Sequence, residues 1–205
     1  MARRAKTLVL ATRNWDKVRE MREVLAGCGW EILSLEDFPE APEVVEDGAT
    51  VAANAIKKAV TIARHTGLVA LADDTALEVD ALGGAPGVCS SRYAGPGATY
   101  ADNVRKLLRD LDGVPEERRT ARFRCVIAIA AERVETVEGV CEGLITAAPR
   151  GTNGFGYDPV FLVPSMGKTF AEMSSEQKHS VSHRGQALRK AKELLAAWRV
   201  PEREA

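Results

Sequence analysis

The first third of the chain switches repeatedly between two periodicities, and that alternation restricts the fold more than any other feature. Thr7-Leu8-Val9-Leu10-Ala11 is a short β-rich run. From Asn14 onward, Val18, Met21, Val24 and Leu25 recur at helical spacing, and Gly27 and Gly29 close the pattern. Residues 31–35 predict a second strand, and residues 36–48, rich in proline and acid, an exposed loop. Residues 49–65 are alanine-rich and helical, Gly67 stops them, and residues 68–72 (Leu-Val-Ala-Leu-Ala) predict a third strand. The order β-α-β-α-β demands a layered α/β fold.

The rhythm then changes. Residues 83–97 hold several glycines and prolines and read as loop. Residues 100–111 predict a helix, 121–131 and 135–147 two long strands around a tight turn, 158–163 a short strand and 184–198 the last helix. A long hairpin inside an α/β chain implies a mixed central sheet, flanked by helices and extended into a second lobe. The expected organisation is one two-lobed domain over residues 1–205, with a frayed tail after Val200.

Composition excludes several classes of partner. A net charge of -1 favours neither nucleic acid nor a membrane surface as a general partner. The apolar run after the basic start Met1-Ala2-Arg3-Arg4-Ala5-Lys6 is too short for a signal peptide's core, and no segment reaches membrane-spanning length. The four cysteines form no C-x-x-C pair, and with three histidines in the chain a zinc site is not expected. Scattered cysteines point to reduced thiols and a cytoplasmic setting.

Four segments carry groups that could do chemistry. Thr12-Arg13-Asn14-Trp15-Asp16-Lys17 joins the first strand to the first helix. A helix start there offers free N–H groups and a positive dipole end to a phosphate, and Lys17 adds a charge; by itself the segment reads equally as an Asn N-cap beside a surface lysine. Asp73-Asp74-Thr75 follows the third predicted strand. Paired carboxylates there suit a hard cation and an activated water, although Asp is also a favoured turn residue. Glu43, Glu46 and Asp47 in the acidic loop could add a carboxylate. Gly154-Phe155-Gly156-Tyr157-Asp158 could bring a ring close enough to stack on a base, or be a glycine-rich turn around a core aromatic. Lys178 with Ser182-His183-Arg184 offers donors for keto oxygens or phosphate, or a capped helix start. Two look-alikes fail on spacing: Gly167-Lys168-Thr169 has Leu162 where a P-loop needs glycine, and Gly83-Gly84-Ala85-Pro86-Gly87 lacks the dinucleotide-binding glycine pattern.

Taken in order, these segments resemble the inosine/xanthosine triphosphate pyrophosphatase family. The resemblance runs from Thr12-x-Asn14-x-x-Lys17 through Asn54-Ala55-x-x-Lys58-Ala59 to Ala72-Asp73-Asp74-Thr75-Ala76-Leu77-Glu78-Val79. It continues in Leu82-Gly83-Gly84-Ala85-Pro86-Gly87-Val88, Ser91-Arg92-Tyr93-Ala94-Gly95, Gly154-Phe155-Gly156-Tyr157-Asp158-Pro159, Lys168-Thr169, Ala171-Glu172, Lys178 and Ser182-His183-Arg184. It implies a homodimer of two-lobed α/β subunits with a nucleotide cleft between the lobes. The implied reaction is Mg²⁺-dependent hydrolysis of ITP, dITP or XTP to the monophosphate and pyrophosphate, clearing damaged purine nucleotides. By the same resemblance Thr12, Arg13, Asn14, Trp15, Asp16 and Lys17, with Lys58, would bind the triphosphate. Glu46 and Asp74 would hold the metal, and Asp74 would also be the base for water, supported by Asp73. Thr75 would touch the substrate; Phe155, Gly156, Tyr157 and Asp158 would hold base and sugar; Lys178, His183 and Arg184 would recognise the purine. Arg13, Ala53, Thr75-Ala76 and Asn153 depart from the residues common in that family, and none of them removes a proposed catalytic group.

Overall fold

Strand β1 (Lys6–Leu10) pairs in parallel with β2 (Trp30–Ser34) on one side and with β3 (Val69–Val79) on the other. The computed structural model describes residues 6–199; the start before Lys6 and the tail from Val200 onward lie outside them. Helix α1 (Trp15–Leu25) connects β1 to β2, and α2 (Val51–Thr66) connects β2 to β3. Asn14 caps α1 by accepting the backbone N–H groups of Asp16 and Lys17 at 3.0 and 3.2 Å. Thr50 caps α2 through Ala53 N–H at 3.1 Å, and Gly67 ends that helix in the left-handed conformation.

The remaining strands are antiparallel. β5 (Thr120–Ala130) pairs with β3, and β6 (Val134–Ile145) pairs with β5. β7 (Phe161–Val163) and β8 (Lys168–Thr169) finish the edge. The order β2-β1-β3-β5-β6-β7-β8, with the two-residue β4 (Pro86–Gly87) attached to β3, makes one mixed sheet of eight strands. The expected α/β architecture with a mixed central sheet is therefore what the chain adopts.

Helices cover both faces. Leu8, Leu10, Leu71, Cys125 and Ile127 pack against α1 and α5 (His183–Ala197). Val9, Ala70, Ala72, Ala76 and Val126 pack against α2 on the opposite face. A third apolar cluster, including Leu77, Phe123, Phe161 and Phe170, fills the far half beneath α3 (Tyr100–Asp110). Full burial of each large side chain contributes roughly 1.5–3 kcal/mol. Among the described residues no helix is long and apolar enough to cross a membrane.

Three elements differ from the sequence expectation. β3 does not stop at Ala72; it runs 11 residues, so Asp73, Asp74 and Thr75 lie inside a strand. The cause is β5, whose register continues from Ala70↔Ala130 through Asp74↔Val126 to Val79↔Ala121 and so offers hydrogen bonds along the whole segment. The strand expected over 158–163 begins only at Phe161, because Asp158 is engaged in a turn. A helix that periodicity did not reveal, α4 (Ser175–Val181), precedes α5, and Ser182 ends the one while capping the other through Gly185 N–H. The two helices approach so closely that a Cβ at Gly185 would collide with the His179 carbonyl.

Candidate active site

β1 ends at Leu10, whereas β3 continues past Leu71, its register partner. The chain after β1 turns away into α1, and a cleft of about 280 Å³ opens where β3 loses that neighbour. This is the crevice beyond a strand's C-terminal end that open α/β sheets provide. Thr12, Arg13, Asn14 and Lys17 line one side, Glu46, Lys58, Asp74 and Thr75 the floor, and Phe155 to Asp158 with His183 and Arg184 the other side.

Successive strand residues point to opposite faces of a sheet, and this separates the two aspartates. Asp73 shares the face of Leu71 and Cys125, towards α1 and α5. There it is fully buried and meets Lys17 Nζ at 3.0 Å and Arg184 Nε at 3.0 Å. Burial alone would raise the Asp73 carboxyl, but Lys17, Arg184 and Lys58 hold it well below the usual aspartate value. Asp74 faces α2. Its Oδ2 accepts Asn54 Nδ2 at 3.1 Å, and its Oδ1 lies 3.5 Å from Lys58 Nζ. Here burial prevails: the Asp74 carboxyl is raised above its ordinary value despite Lys58 and Lys17, with Glu46 adding to the rise. Adjacent in sequence, the two acids thus have separate environments, Asp73 an anion locked between cations and Asp74 a carboxyl raised by burial at the floor of the cleft.

Asn54 and Lys58 are polar members of α2's buried stripe, which otherwise comprises Val51, Ala55, Ala59, Ile62 and Ala63. Lys58 Nζ donates to the Asp73 carbonyl at 2.6 Å and to Glu46 Oε1 at 2.5 Å. Burial would lower the Lys58 ammonium, but Asp73, Asp74 and Glu46 raise it, so it stays charged. One cationic group therefore stands where the Glu46 and Asp74 carboxylates converge. Two carboxylates that converge on one positive charge are oxygen donors of the kind a hard divalent ion takes.

The opposite wall is an ion network. Glu20, on α1, accepts from Lys178 Nζ at 2.6 Å and Arg184 Nη1 at 2.7 Å, and all three are nearly fully buried. Burial would raise Glu20, but Arg184 and Lys178 bring it down to about 2. Arg184 Nη2 also donates to Thr75 Oγ1 at 3.1 Å, and Lys178 also donates to Asp158 Oδ2 at 2.5 Å. Asp158 Oδ2 accepts Phe155 N–H at 2.8 Å, which fixes the turn presenting the Phe155 ring. A Cβ at Gly154 would strike that carboxylate, and its φ of +71° suits glycine as well. Lys178 Nζ and Arg184 Cζ lie 4.9 and 5.4 Å from the Phe155 ring centre. His183 stacks on Phe123 at 4.4 Å, and neither of its ring nitrogens has a hydrogen-bond partner among the described residues. Burial holds its imidazole well below the usual value, Arg184 and Lys178 adding to the effect, so it is neutral and offers one donor and one acceptor.

The cleft takes its lining from residues 12 to 184, and the match to known proteins likewise spans most of the chain. The sequence pattern of the Ham1 family fits residues 8–194. The chain belongs to the Ham1 family. Two relatives called dITP/XTP pyrophosphatase show the extent of the likeness. The protein from Desulforamulus reducens is 56% identical over 190 residues, covering 92% of this chain and 94% of the relative. That from Geobacillus kaustophilus is 53% identical over 92% of this chain and 93% of its own length. A solved HAM1 protein from Coxiella burnetii superposes with a TM-score of 0.85 at 43% identity, over 94% of this chain and all (100%) of the other. A nucleoside-triphosphatase / dITP/XTP pyrophosphatase from Mycobacterium abscessus does so at 0.73 and 43%, over 90% and 98%.

Within the Ham1 framework most residues singled out from sequence meet in one place. Trp15 and Asp16 do not line the cleft. Trp15 is 53% exposed and borders a smaller pocket with Val18, Ser34 and Leu35, while Asp16 pairs with Arg19 at 3.0 Å. Lys178 stands behind Phe155 and carries its ion pairs there. Arg13 donates to the Ala41 carbonyl at 2.8 Å and so ties the acidic loop to the start of α1. Arg92 reaches the Glu46 carbonyl at 3.3 Å from the other side. Sequence reading missed Glu20, Tyr100, Phe123 and Ser90. Each of them meets a residue that the sequence did single out: Glu20 pairs with Lys178 and Arg184, Tyr100 bonds Asn14, Phe123 stacks on His183, and the Ser90 carbonyl accepts the buried Tyr157 hydroxyl at 2.9 Å.

Proposed function

We propose that this protein hydrolyses non-standard purine nucleoside triphosphates, namely ITP, dITP and XTP, to the monophosphate and pyrophosphate, using Mg²⁺. The observation that carries the reading is the convergence of Glu46 and Asp74 on one cationic position beside the N-terminus of α1. The names of the relatives supply the substrate class.

Glu46 and Asp74 would hold the metal, which when bound neutralises phosphate charge and acidifies water. The α1 N-terminus, Thr12, Asn14 and Lys17 offset the charge of the triphosphate chain. Lys58 is positioned to shift from the carboxylates to a phosphate oxygen. Asp74 orients a water and accepts its proton as the oxygen attacks the α-phosphorus; the bond to the bridging oxygen breaks and pyrophosphate leaves. Phe155 supplies a face for the base. His183, Arg184 and the backbone around Phe155 to Asp158 present donors to a keto oxygen. A buried donor facing an amino group instead costs about 1–3 kcal/mol, a discrimination of roughly 5- to 150-fold. Guanine carries the same keto group, so a further contact at its 2-position must exclude it. A cytoplasmic homodimer of one two-lobed domain completes the reading.

Steady-state kinetics with a panel of ITP, dITP, XTP, dATP and dGTP test it. Hypoxanthine and xanthine nucleotides should exceed the others in kcat/KM by at least about tenfold; equal values across the panel would remove the house-cleaning assignment. The cation seat has its own test. Lys58→Met removes a charge from between two carboxylates and should tighten Mn²⁺ binding to the nucleotide-free protein by about tenfold or more. Unchanged or weaker binding, followed by Mn²⁺ electron resonance, would show that the metal does not bind at Glu46 and Asp74.

A further inference from the structure

We propose that Tyr100 is a substrate-contacting gate at the mouth of the cleft, latching Asn14 in the free protein and stacking on the nucleobase of bound substrate. The inference rests on the pyrophosphatase reading for the identity of the substrate. Tyr100 is the first residue of α3, and it lines the cleft together with Asn14 and Phe155. Its hydroxyl accepts Asn14 Nδ2 at 3.0 Å and donates to Asp16 Oδ2 at 3.4 Å, so it spans from α3 to the first turn of α1. Burial and Asp16 raise its pKa, although Asn14 opposes the rise, and the phenol remains a donor at neutral pH.

The latch occupies a group that a phosphate needs. Asn14 Oδ1 is committed to the N–H groups of Asp16 and Lys17, which fixes the amide orientation and turns Nδ2 outward. That nitrogen belongs to the segment proposed to bind the triphosphate. A phosphate oxygen is the stronger acceptor, because a hydrogen bond to an anion outcompetes one to a neutral phenol. Nucleotide arrival therefore displaces Tyr100 from Asn14.

The ring geometry points the same way. The Tyr100 and Phe155 centroids are 5.7 Å apart with a tilt of 43°. A base between two rings needs their centroids separated by about 7 Å, twice a stacking distance, at the upper limit of direct aromatic pairing. The present spacing closes the slot, and outward motion of Tyr100 opens it. At 42% exposure the side chain has room to move. One residue thereby links phosphate capture to admission of the base.

Inorganic tripolyphosphate and dITP separate the two halves of the proposal when tested on Tyr100→Phe and Tyr100→Ala. Both variants lack the latch and should bind tripolyphosphate, measured by calorimetry, about two- to tenfold more tightly than the wild type and equally to one another. With dITP, Tyr100→Phe should keep a KM at or below the wild-type value. Tyr100→Ala loses the stacking face, so its KM should exceed that of Tyr100→Phe by about tenfold, kcat being unchanged. Wild-type tripolyphosphate affinity in both variants overturns the latch, and equal dITP KM values for the two overturn the stacking contact. The tripolyphosphate arm involves neither a base nor turnover, so failure of the wild type to hydrolyse dITP contradicts the pyrophosphatase reading and leaves the latch to be judged on its own result.

Discussion

Asp74→Asn is expected to lower kcat by about 10³-fold or more, because general-base assistance and a metal ligand are lost together. The substitution is nearly isosteric. Asn54 can still donate to the side-chain oxygen, as it does to Asp74 Oδ2 at 3.1 Å. An amide does not take a proton from water at neutral pH, and it binds a hard cation less well than a carboxylate. Stability should change little. Burial raises the Asp74 pKa, and for an acid shifted upward the favourable linkage is present at low pH and lost as pH rises through the folded value. At neutral pH the ionised carboxylate is therefore a burden on the fold, and a neutral residue does not add to it. Circular dichroism and steady-state kinetics on the same preparation decide the matter. A folded variant retaining more than a tenth of wild-type kcat would exclude Asp74 as the base.

Glu20→Ala is expected to destabilise the protein by about 3 kcal/mol or more, the scale for removing one partner from a buried ion cluster. Lys178 and Arg184 would each keep one carboxylate, Asp158 and Asp73 respectively, but would lose a bond of 2.6 or 2.7 Å. Glu20→Gln should keep the packing and isolate the charge. The wild-type carboxyl sits at about 2 rather than the ordinary 4.5. An acid shifted downward stabilises fully above its unfolded value, and the contribution fades as pH falls through the folded one. That shift corresponds to on the order of 3 kcal/mol. Urea unfolding at pH 7 and near pH 2 should therefore show a wide gap between wild type and Glu20→Gln that narrows in acid. A gap independent of pH would mean that Glu20 contributes by shape and not by charge.

Local features were legible in the sequence, and long-range pairing was not. Asn14 as a helix cap and Lys17 one turn on follow from a strand-to-helix junction within a few residues. The buried stripe of α2 carries Asn54 and Lys58 at a spacing of one turn, so their shared direction is written in the sequence. Asp73-Asp74 misled in one respect: two acids after an apolar strand read either as a pair for a hard cation at the strand's end or as a turn, and in both readings the strand stops before them. β5 decides otherwise, because pairing Asp73 with Ile127 and Asp74 with Val126 keeps the segment extended and sends the carboxylates to opposite faces. Glu20 gave no signal at all. It lies off the Val18, Met21 and Leu25 stripe, and its cations arrive 158 and 164 residues later. Tyr100 reads only as the start of an amphipathic helix until the fold sets it against Asn14. The family resemblance named the chemistry, and the three-dimensional structure set the surroundings of each residue.

In the proposed reaction the bond broken joins the α-phosphorus to the pyrophosphate leaving group. Phosphorus NMR of the products formed from dITP and Mg²⁺ tests it directly. Deoxyinosine monophosphate and pyrophosphate are expected in equal amounts, with no orthophosphate at early times. Orthophosphate released together with a nucleoside diphosphate would contradict it.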